Sequence, residues 1–439
     1  MFDGNFSLVV FAWFAVGAVA AIGQTTQMTM RDPNTGNTFI VRQPTGDVPT
    51  EWIDPDTRHR VIRLTSEPGS ASLYFHQNGY TPDGKKFVFT SPTGLYTFDM
   101  ETRGIDHVLT DQVSVIAVAR KTATVYYMLG AVGIGDLGNT SAPRAVYAVD
   151  LKTHQSRKIA DIPAGFTIGT VNCDETLLGG TILYPSPGKD RIPIFERSAN
   201  GRMDLQARFD LRLPMDLCAI NIQTGELRKF NRCNDWLNHL QFSPVDPKLL
   251  MFCHEGPWHQ VDRIWTINVD GGEPKLVHQR TMNMEIAGHE FWGQDGKTIW
   301  YDLQTPLSQV FWVAGYNIQT GERTQYHLKK SEWSVHFNVS PDGKLFCGDG
   351  GGPDSIAAGD NGQWIYLFRP KLLPHSPSPE GEHVIRSGVF EAERLVNLAQ
   401  QEYALEPNAS FTPDMKWIVF RSNIQGPTHV YAVEVEKAR

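Results

Sequence analysis

One short unit recurs along the chain: an apolar strand, a turn of the form Ser/Thr-Pro-Asp-Gly-Lys, a second strand rich in aromatic and β-branched residues, then a later strand and a polar turn. The turn reads Tyr80-Thr81-Pro82-Asp83-Gly84-Lys85, Phe242-Ser243-Pro244, Trp292-Gly293-Gln294-Asp295-Gly296-Lys297, Val339-Ser340-Pro341-Asp342-Gly343-Lys344 and Phe411-Thr412-Pro413-Asp414. Degenerate copies lie at Asn172-Cys173-Asp174 and Arg120-Lys121. Proline presets one turn dihedral and Asp-Gly supplies the positive φ of a tight hairpin, so each copy predicts a hairpin. Later strands such as Leu95-Tyr96-Thr97-Phe98-Asp99, Ile264-Trp265-Thr266-Ile267-Asn268 and Val430-Tyr431-Ala432-Val433 keep the same order. Seven units of four short strands, at roughly 40 to 70 residues each with no sustained helical period, predict an all-β fold, a seven-bladed β-propeller. Residues 58–65 read as an outer strand with no blade before it, expected to complete the last blade. A pair of β-sandwiches would not repeat one motif along the whole chain.

A length of 439 residues would otherwise suggest two or three domains. The repeat replaces that expectation with one domain over 24–439, and uses the 39 Gly and 27 Pro for turns and the 23 Phe, 13 Tyr and 11 Trp for packing. With 40 Lys plus Arg against 48 Asp plus Glu, and no basic block, the chain lacks the electrostatic footprint for wrapping nucleic acid. Net charge does not fix the potential inside a cleft, so a short anionic ligand stays open. Residues 7–23 are an apolar run with an Ala18-Val19-Ala20 cleavage pattern. Residues 1–23 are therefore expected to be a signal peptide, with export to the periplasm or beyond and no stable membrane association after cleavage. Because Asp3 is present and Lys and Arg are absent before the run, a short N-terminal anchor is the other reading. The five cysteines have no zinc-type spacing. Cys218 and Cys233 could pair in an oxidising compartment; buried free thiols are the alternative.

In a propeller the innermost strands line a central channel, so the residues just before the repeated turn converge. Four positions before the Ser, Thr or Gly that opens the turn stand Gln77, with His76 beside it, His239, His289, His336 and Asn408. Such a set predicts a polar site; a water-filled funnel is the plain alternative. A second stretch, His254-Glu255-Gly256-Pro257-Trp258-His259-Gln260-Val261-Asp262-Arg263-Ile264-Trp265, gathers two His, two carboxylates and an Arg suited to a bidentate carboxylate contact. Phe346-Cys347-Gly348-Asp349-Gly350-Gly351-Gly352-Pro353-Asp354 lacks the Lys-Ser/Thr of a phosphate loop and reads as close backbone packing or a rim loop. No G-x-S-x-G elbow supports a serine hydrolase.

The block from His254 to Trp265, together with Gly288-His289-Glu290-Phe291-Trp292, Thr298-Ile299-Trp300-Tyr301-Asp302-Leu303 and Val335-His336-Phe337-Asn338-Val339-Ser340-Pro341-Asp342-Gly343, resembles the oligogalacturonate lyases, polysaccharide lyase family 22. The resemblance implies β-elimination on short uronate oligosaccharides with a divalent metal, typically manganese, in the channel. It further implies His289 as base, Arg263 as substrate-carboxylate clamp and His336 as a metal ligand. The family's remaining ligands, a Gln and two His, fall here on Tyr403, Glu406 and Asn408. Oxygen donors at Glu406 and Asn408 would harden the site towards calcium or magnesium, or abolish metal binding. His239, His76, Gln77, His254 and His259 are further candidates for substrate contact.

The chemistry is coherent on its own terms: a C5 proton α to a carboxylate is acidic only once that charge is neutralised, and a neutral imidazole then suits as acceptor. The partner expected is an acidic oligosaccharide. A sister lyase on another linkage, such as rhamnose capping glucuronate, and a non-catalytic propeller binding glycans or proteins are the rival readings.

Overall fold

The computed structural model describes residues 26–31, 38–43, 49–130, 144–163, 165–193, 204–352, 357–358, 363–374, 384–402 and 405–438. The apolar run 7–23 and Tyr403 lie outside them.

The repeated turn folds alike wherever its residues are kept. Thr81, Ser340 and Thr412 each donate a hydroxyl to the Asp two residues on, at 2.6, 2.7 and 2.6 Å. Each hydroxyl oxygen also accepts a backbone N–H five residues on, from Lys86, Leu345 and Trp417. The residue after the Asp takes positive φ, 69° at Gly84 and 73° at Gly343; Glu175 and Met415 adopt 62° and 61° there without glycine's freedom. In the degenerate copy, Asn172 Oδ1 replaces the hydroxyl and accepts from Thr176 and Leu177. Strand ends share a second device: Asp99, Asp150, Asn221 and Asn317 each accept backbone N–H groups two and three residues on.

These turns string antiparallel units in chain order. Lys86–Ser91, Gly94–Asp99 and Ile105–Leu109 form the first, and Val113–Val118, Thr124–Leu129, Arg144–Asp150 and Ser156–Ile162 the second. Phe166–Val171, Leu177–Leu183, Met215–Asn221 and Leu227–Cys233 follow, then Trp236–Phe242, Leu249–Glu255, Ile264–Asn268 and Lys275–Leu276. Next come Ile286–Trp292, Thr298–Thr305, Val310–Asn317 and Arg323–Leu328, and after them Phe337–Val339, Phe346–Asp349, Trp364–Leu372 and Arg386–Asn397; a parallel pairing of their last strands joins these two units. The final unit, Ser410–Phe411, Trp417–Ser422 and His429–Lys437, is completed by His59–Arg63, with Tyr431 opposite Arg63 and Val433 opposite Val61. The expected N-terminal closure is present, with Glu51–Ile53 as a further edge strand.

Successive units pack through apolar faces. Phe87, Phe89 and Tyr96 of the first unit share a cluster with Val419, Val430 and Ala432 of the last, so the first and last units are joined by burial. Each fully buried aromatic of this kind contributes about 1.5–3 kcal/mol. A narrow cavity of about 80 Å³ is bordered by His76, Ile116, Gly169, Leu240, Phe291 and Asn338, one residue from each of six successive units, which places it on a common axis. The architecture is all-β and propeller-like.

Candidate active site

Two inner strands bulge where the predicted histidines stand. Pairing with the neighbouring strand slips between Asn238 and Gln241 and between Gly288 and Phe291. His239 and His289, inside those bulges, have φ of 46° and 47°, and Asn408 has 56°. A bulge re-aims a side chain, and left-handed backbone away from glycine persists only where its surroundings over-determine it. Gly288 has a steric reason as well: a Cβ there would come 3.1 Å from Asp302 Oδ1.

The imidazoles do converge. His289 and His336 stand edge to face at 5.1 Å. Tyr74 packs on His76, His336 and His239 at ring separations of 5.1, 5.3 and 6.1 Å, and Phe75 reaches His336 at 5.0 Å. Tyr74 and Phe75 arrive because the first unit has no regular inner strand. Isolated bridges at Ala71 and Tyr80 bracket a turn in which Gln77 N–H donates to the Tyr74 carbonyl and Tyr74 N–H donates to Gln77 Oε1. Burial, and then the neighbouring His239 and His336, push His76 down to about 3, so it is neutral near pH 7.

Each of three histidines has its own carboxylate. His289 Nδ1 lies 2.7 Å from Oδ1 of the buried Asp302, whose Oδ2 accepts from Gln304 Nε2 at 2.6 Å. Ser308 Oγ in turn donates to Gln304 Oε1. This chain fixes the His289 tautomer with Nδ1 protonated and Nε2 carrying the lone pair. His336 Nδ1 is 3.2 Å from both oxygens of the buried Asp349, which also accepts the His336 backbone N–H. Burial opposes charge on His336, but Asp349 and then Glu406 outweigh it and raise its pKa. His336 Nε2 is buried with no hydrogen-bond partner and points towards Glu406, 3.7 Å away. His239 Nε2 is 3.3 Å from Glu255.

Arg263 is placed differently from the expected free clamp. Its Nη1 donates to Glu255 at 2.7 Å and its Nε to Glu290 at 3.0 Å, all three side chains being buried. Burial opposes their charges, yet Arg263 keeps Glu255 well below the usual carboxylate range, while the Glu255 and Glu290 carboxylates hold Arg263 protonated. A lone guanidinium at this depth would be too costly, so the acids accompany it. Only Nη2 stands outside these two pairs.

Other candidates have local occupations. Gln77 donates to the Ile116 carbonyl. Asn408 Oδ1 accepts from Phe75 N–H and its Nδ2 donates to the Glu406 carbonyl, so its amide is spent on backbone. His254 stacks on Trp265 beside Asp235, and His259 lies on the short 3-10 turn Trp258–Gln260, its carbonyl held by Arg280; neither contacts the channel imidazoles. All five cysteines are free, so Cys218 and Cys233 do not pair. Asp302, Asp349 and Tyr74 are site residues that the sequence reading does not single out. Asp349 sits in the Gly-rich stretch that reads as backbone packing, and Tyr74 in the aromatic run Leu73-Tyr74-Phe75-His76 beside a candidate already noted.

Among known proteins, the sequence pattern of the oligogalacturonate lyase family matches residues 203–438. The chain is 26% identical over 402 residues to an oligogalacturonate lyase of Dickeya dadantii, covering 88% of this chain and 95% of that protein. It is equally 26% identical over 400 residues to an oligogalacturonide lyase of Pectobacterium atrosepticum, with the same coverage. Its fold superimposes on an oligogalacturonate lyase solved in complex with manganese, at a TM-score of 0.70, 22% identity, and 95% and 99% coverage of the two chains. A Vibrio parahaemolyticus oligogalacturonate lyase gives the same TM-score and identity, with 90% of this chain covered.

Proposed function

The chain belongs to the oligogalacturonate lyase family, and from that premise we propose that it cleaves short galacturonate oligosaccharides by β-elimination on a seven-bladed propeller. The observation that carries the reading is the His289–Asp302 pair at 2.7 Å, which occupies Nδ1 and leaves Nε2 without a hydrogen bond among the described residues. In this scheme Nε2 takes the C5 proton, the C4–O4 bond breaks, and the C4=C5 bond forms in conjugation with the carboxylate. Asp302 stabilises the imidazolium as it develops, which lowers the barrier only while the proton is moving. Arg263, through Nη2, is the protein cation assigned to the substrate carboxylate.

A divalent metal belongs to the reading by family. His336 and Glu406 are the residues that would hold it, because the buried, unpartnered Nε2 faces the Glu406 carboxylate. Asn408 is left out, its amide being engaged with backbone. One imidazole and one carboxylate leave positions for water and substrate, as hard divalent ions prefer, and such an ion would supply charge neutralisation at the uronate. Export, resting on the apolar run 7–23, is part of the same proposal.

The test is a scan of acidic oligosaccharides with and without manganese, reading the ultraviolet absorbance of the unsaturated product. Di- and trigalacturonate are expected to react, and His289→Ala to abolish the signal while the variant stays folded. Activity retained by His289→Ala would sink the assignment; a wild-type chain that cleaves rhamnose-capped glucuronate instead would move the substrate and keep the chemistry.

A further inference from the structure

Removing the C5 proton accounts for only half of the elimination. An alkoxide leaving from O4 needs a proton, and in galacturonate the C5–H and C4–O4 bonds are axial on opposite faces of the ring. One imidazole cannot serve both faces in one step, so the site needs a second, separate group.

Tyr74 has the placement for it. It borders His336 at 5.3 Å, as His289 does at 5.1 Å, so both rings open onto the same part of the channel. It also packs on His76 and His239, which ties its ring on several sides. Its backbone N–H is engaged by Gln77, whereas its hydroxyl donates to no described residue. Tyr74 is only partly buried, its ring packed against the core while its hydroxyl is left without a described protein partner. The other neighbours are poorer acids: His76 is half-buried among three other imidazoles, His336 Nδ1 is committed to Asp349, and His239 to Glu255.

We propose that Tyr74 is the acid of the elimination, donating its phenolic proton to O4 as the C4–O4 bond breaks; this rests on the lyase reading above. The balance is closed: His289 gains the C5 proton, the C–H electron pair becomes the C4=C5 bond, O4 leaves as a hydroxyl with the Tyr74 proton, and the phenolate is reprotonated from water while the imidazolium releases its proton. An ordinary phenol is protonated near neutral pH, so Tyr74 enters each turnover with its proton in place.

The experiment compares Tyr74→Phe with wild type on digalacturonate and on a galacturonate carrying 4-nitrophenolate at C4, a leaving group that needs no acid. Tyr74→Phe should lose at least about 100-fold in kcat on digalacturonate and less than about 10-fold on the aryl substrate, with unchanged thermal melting because no internal hydrogen bond is removed. Equal losses on both substrates would make Tyr74 a binding residue and overturn the proposal, as would no loss on either. A wild-type chain inert on both would refute the lyase reading itself, and the proposal with it.

Discussion

Replacing Asp302 by Asn tests the base more sharply than removing the base does. The carboxylate is buried and accepts from His289 Nδ1 at 2.7 Å on one oxygen and from Gln304 Nε2 at 2.6 Å on the other. Both partners are donors, and an amide offers only one acceptor. Either the new amide faces Gln304 with its oxygen and presents NH₂ to Nδ1, forcing the proton onto Nε2, or it serves His289 and sets two donors against each other. Ser308, donating to Gln304 Oε1, resists a compensating flip of the Gln. The charge effect can be sized. As the C5 proton arrives, a unit positive charge forms beside a unit negative one, worth about 4 kcal/mol at roughly 4 Å and an effective dielectric of about 20. At about 1.36 kcal/mol per decade that is about a thousand-fold in rate, reduced towards a hundred-fold because the His289 side chain is 22% exposed to screening water. Asp302→Asn should therefore lower kcat by about 10²–10³ and leave KM within a few-fold, since Asp302 touches no substrate. Initial rates of unsaturated product, with thermal melting as the folding control, provide the measurement. A variant within about five-fold of wild type in kcat would refute the dyad, and a loss confined to KM would show that Asp302 shapes the pocket instead.

Arg263→Ala should destabilise the fold by about 3–5 kcal/mol in urea denaturation, because it leaves the buried Glu255 and Glu290 without their cation; a loss under about 1 kcal/mol would mean that those acids are not held as described. His429, pushed down to about 4 by burial and then Arg63, stays neutral when folded and binds a proton when unfolded, so acidification from its unfolded value of 6.5 towards 4 should cost up to about 3 kcal/mol of stability. His429→Gln removes that proton, and wild-type and variant stabilities that run parallel between pH 7 and 4 would contradict the assignment.

The fold was legible because its signals are local. The Thr81, Ser340 and Thr412 turns close through bonds within five residues, and Asp-Gly marks them before any tertiary contact forms. The degenerate copy at Asn172 was also readable, since its side chain reproduces the hydroxyl's geometry. What the pattern does not carry is the irregular entry to the first unit. The stretch from Ala71 to Tyr80 resembles an inner strand in composition, but the Tyr74–Gln77 turn lifts it out of regular pairing, and that turn is what delivers Tyr74 and Phe75 to the channel.

The site was half legible, and the missing half obeys a rule of its own. Four of the aligned positions do meet or border the channel, but the carboxylates that pair with their imidazoles sit on the following strand: Asp302 is 13 residues beyond His289 and Asp349 is 13 beyond His336. Two strands joined by the repeated turn place those positions side by side, so the repeat that fixes the hairpin also fixes the dyad. His239 and Glu255 form the same pair at a slightly longer spacing. Applied to Asn408, the 13-residue step reaches Arg421, whose Nε donates to the Glu406 carbonyl at 2.7 Å. In this last unit the imidazole–acid pair has become an amide and a guanidinium, and both side chains clamp the same short backbone segment: Asn408 Nδ2 also donates to the Glu406 carbonyl. The segment's fixed course is what turns the Glu406 carboxylate towards His336. Glu406 is thus the carboxylate that this unit brings to His336, while the Asn408 amide holds the backbone carbonyl of Glu406.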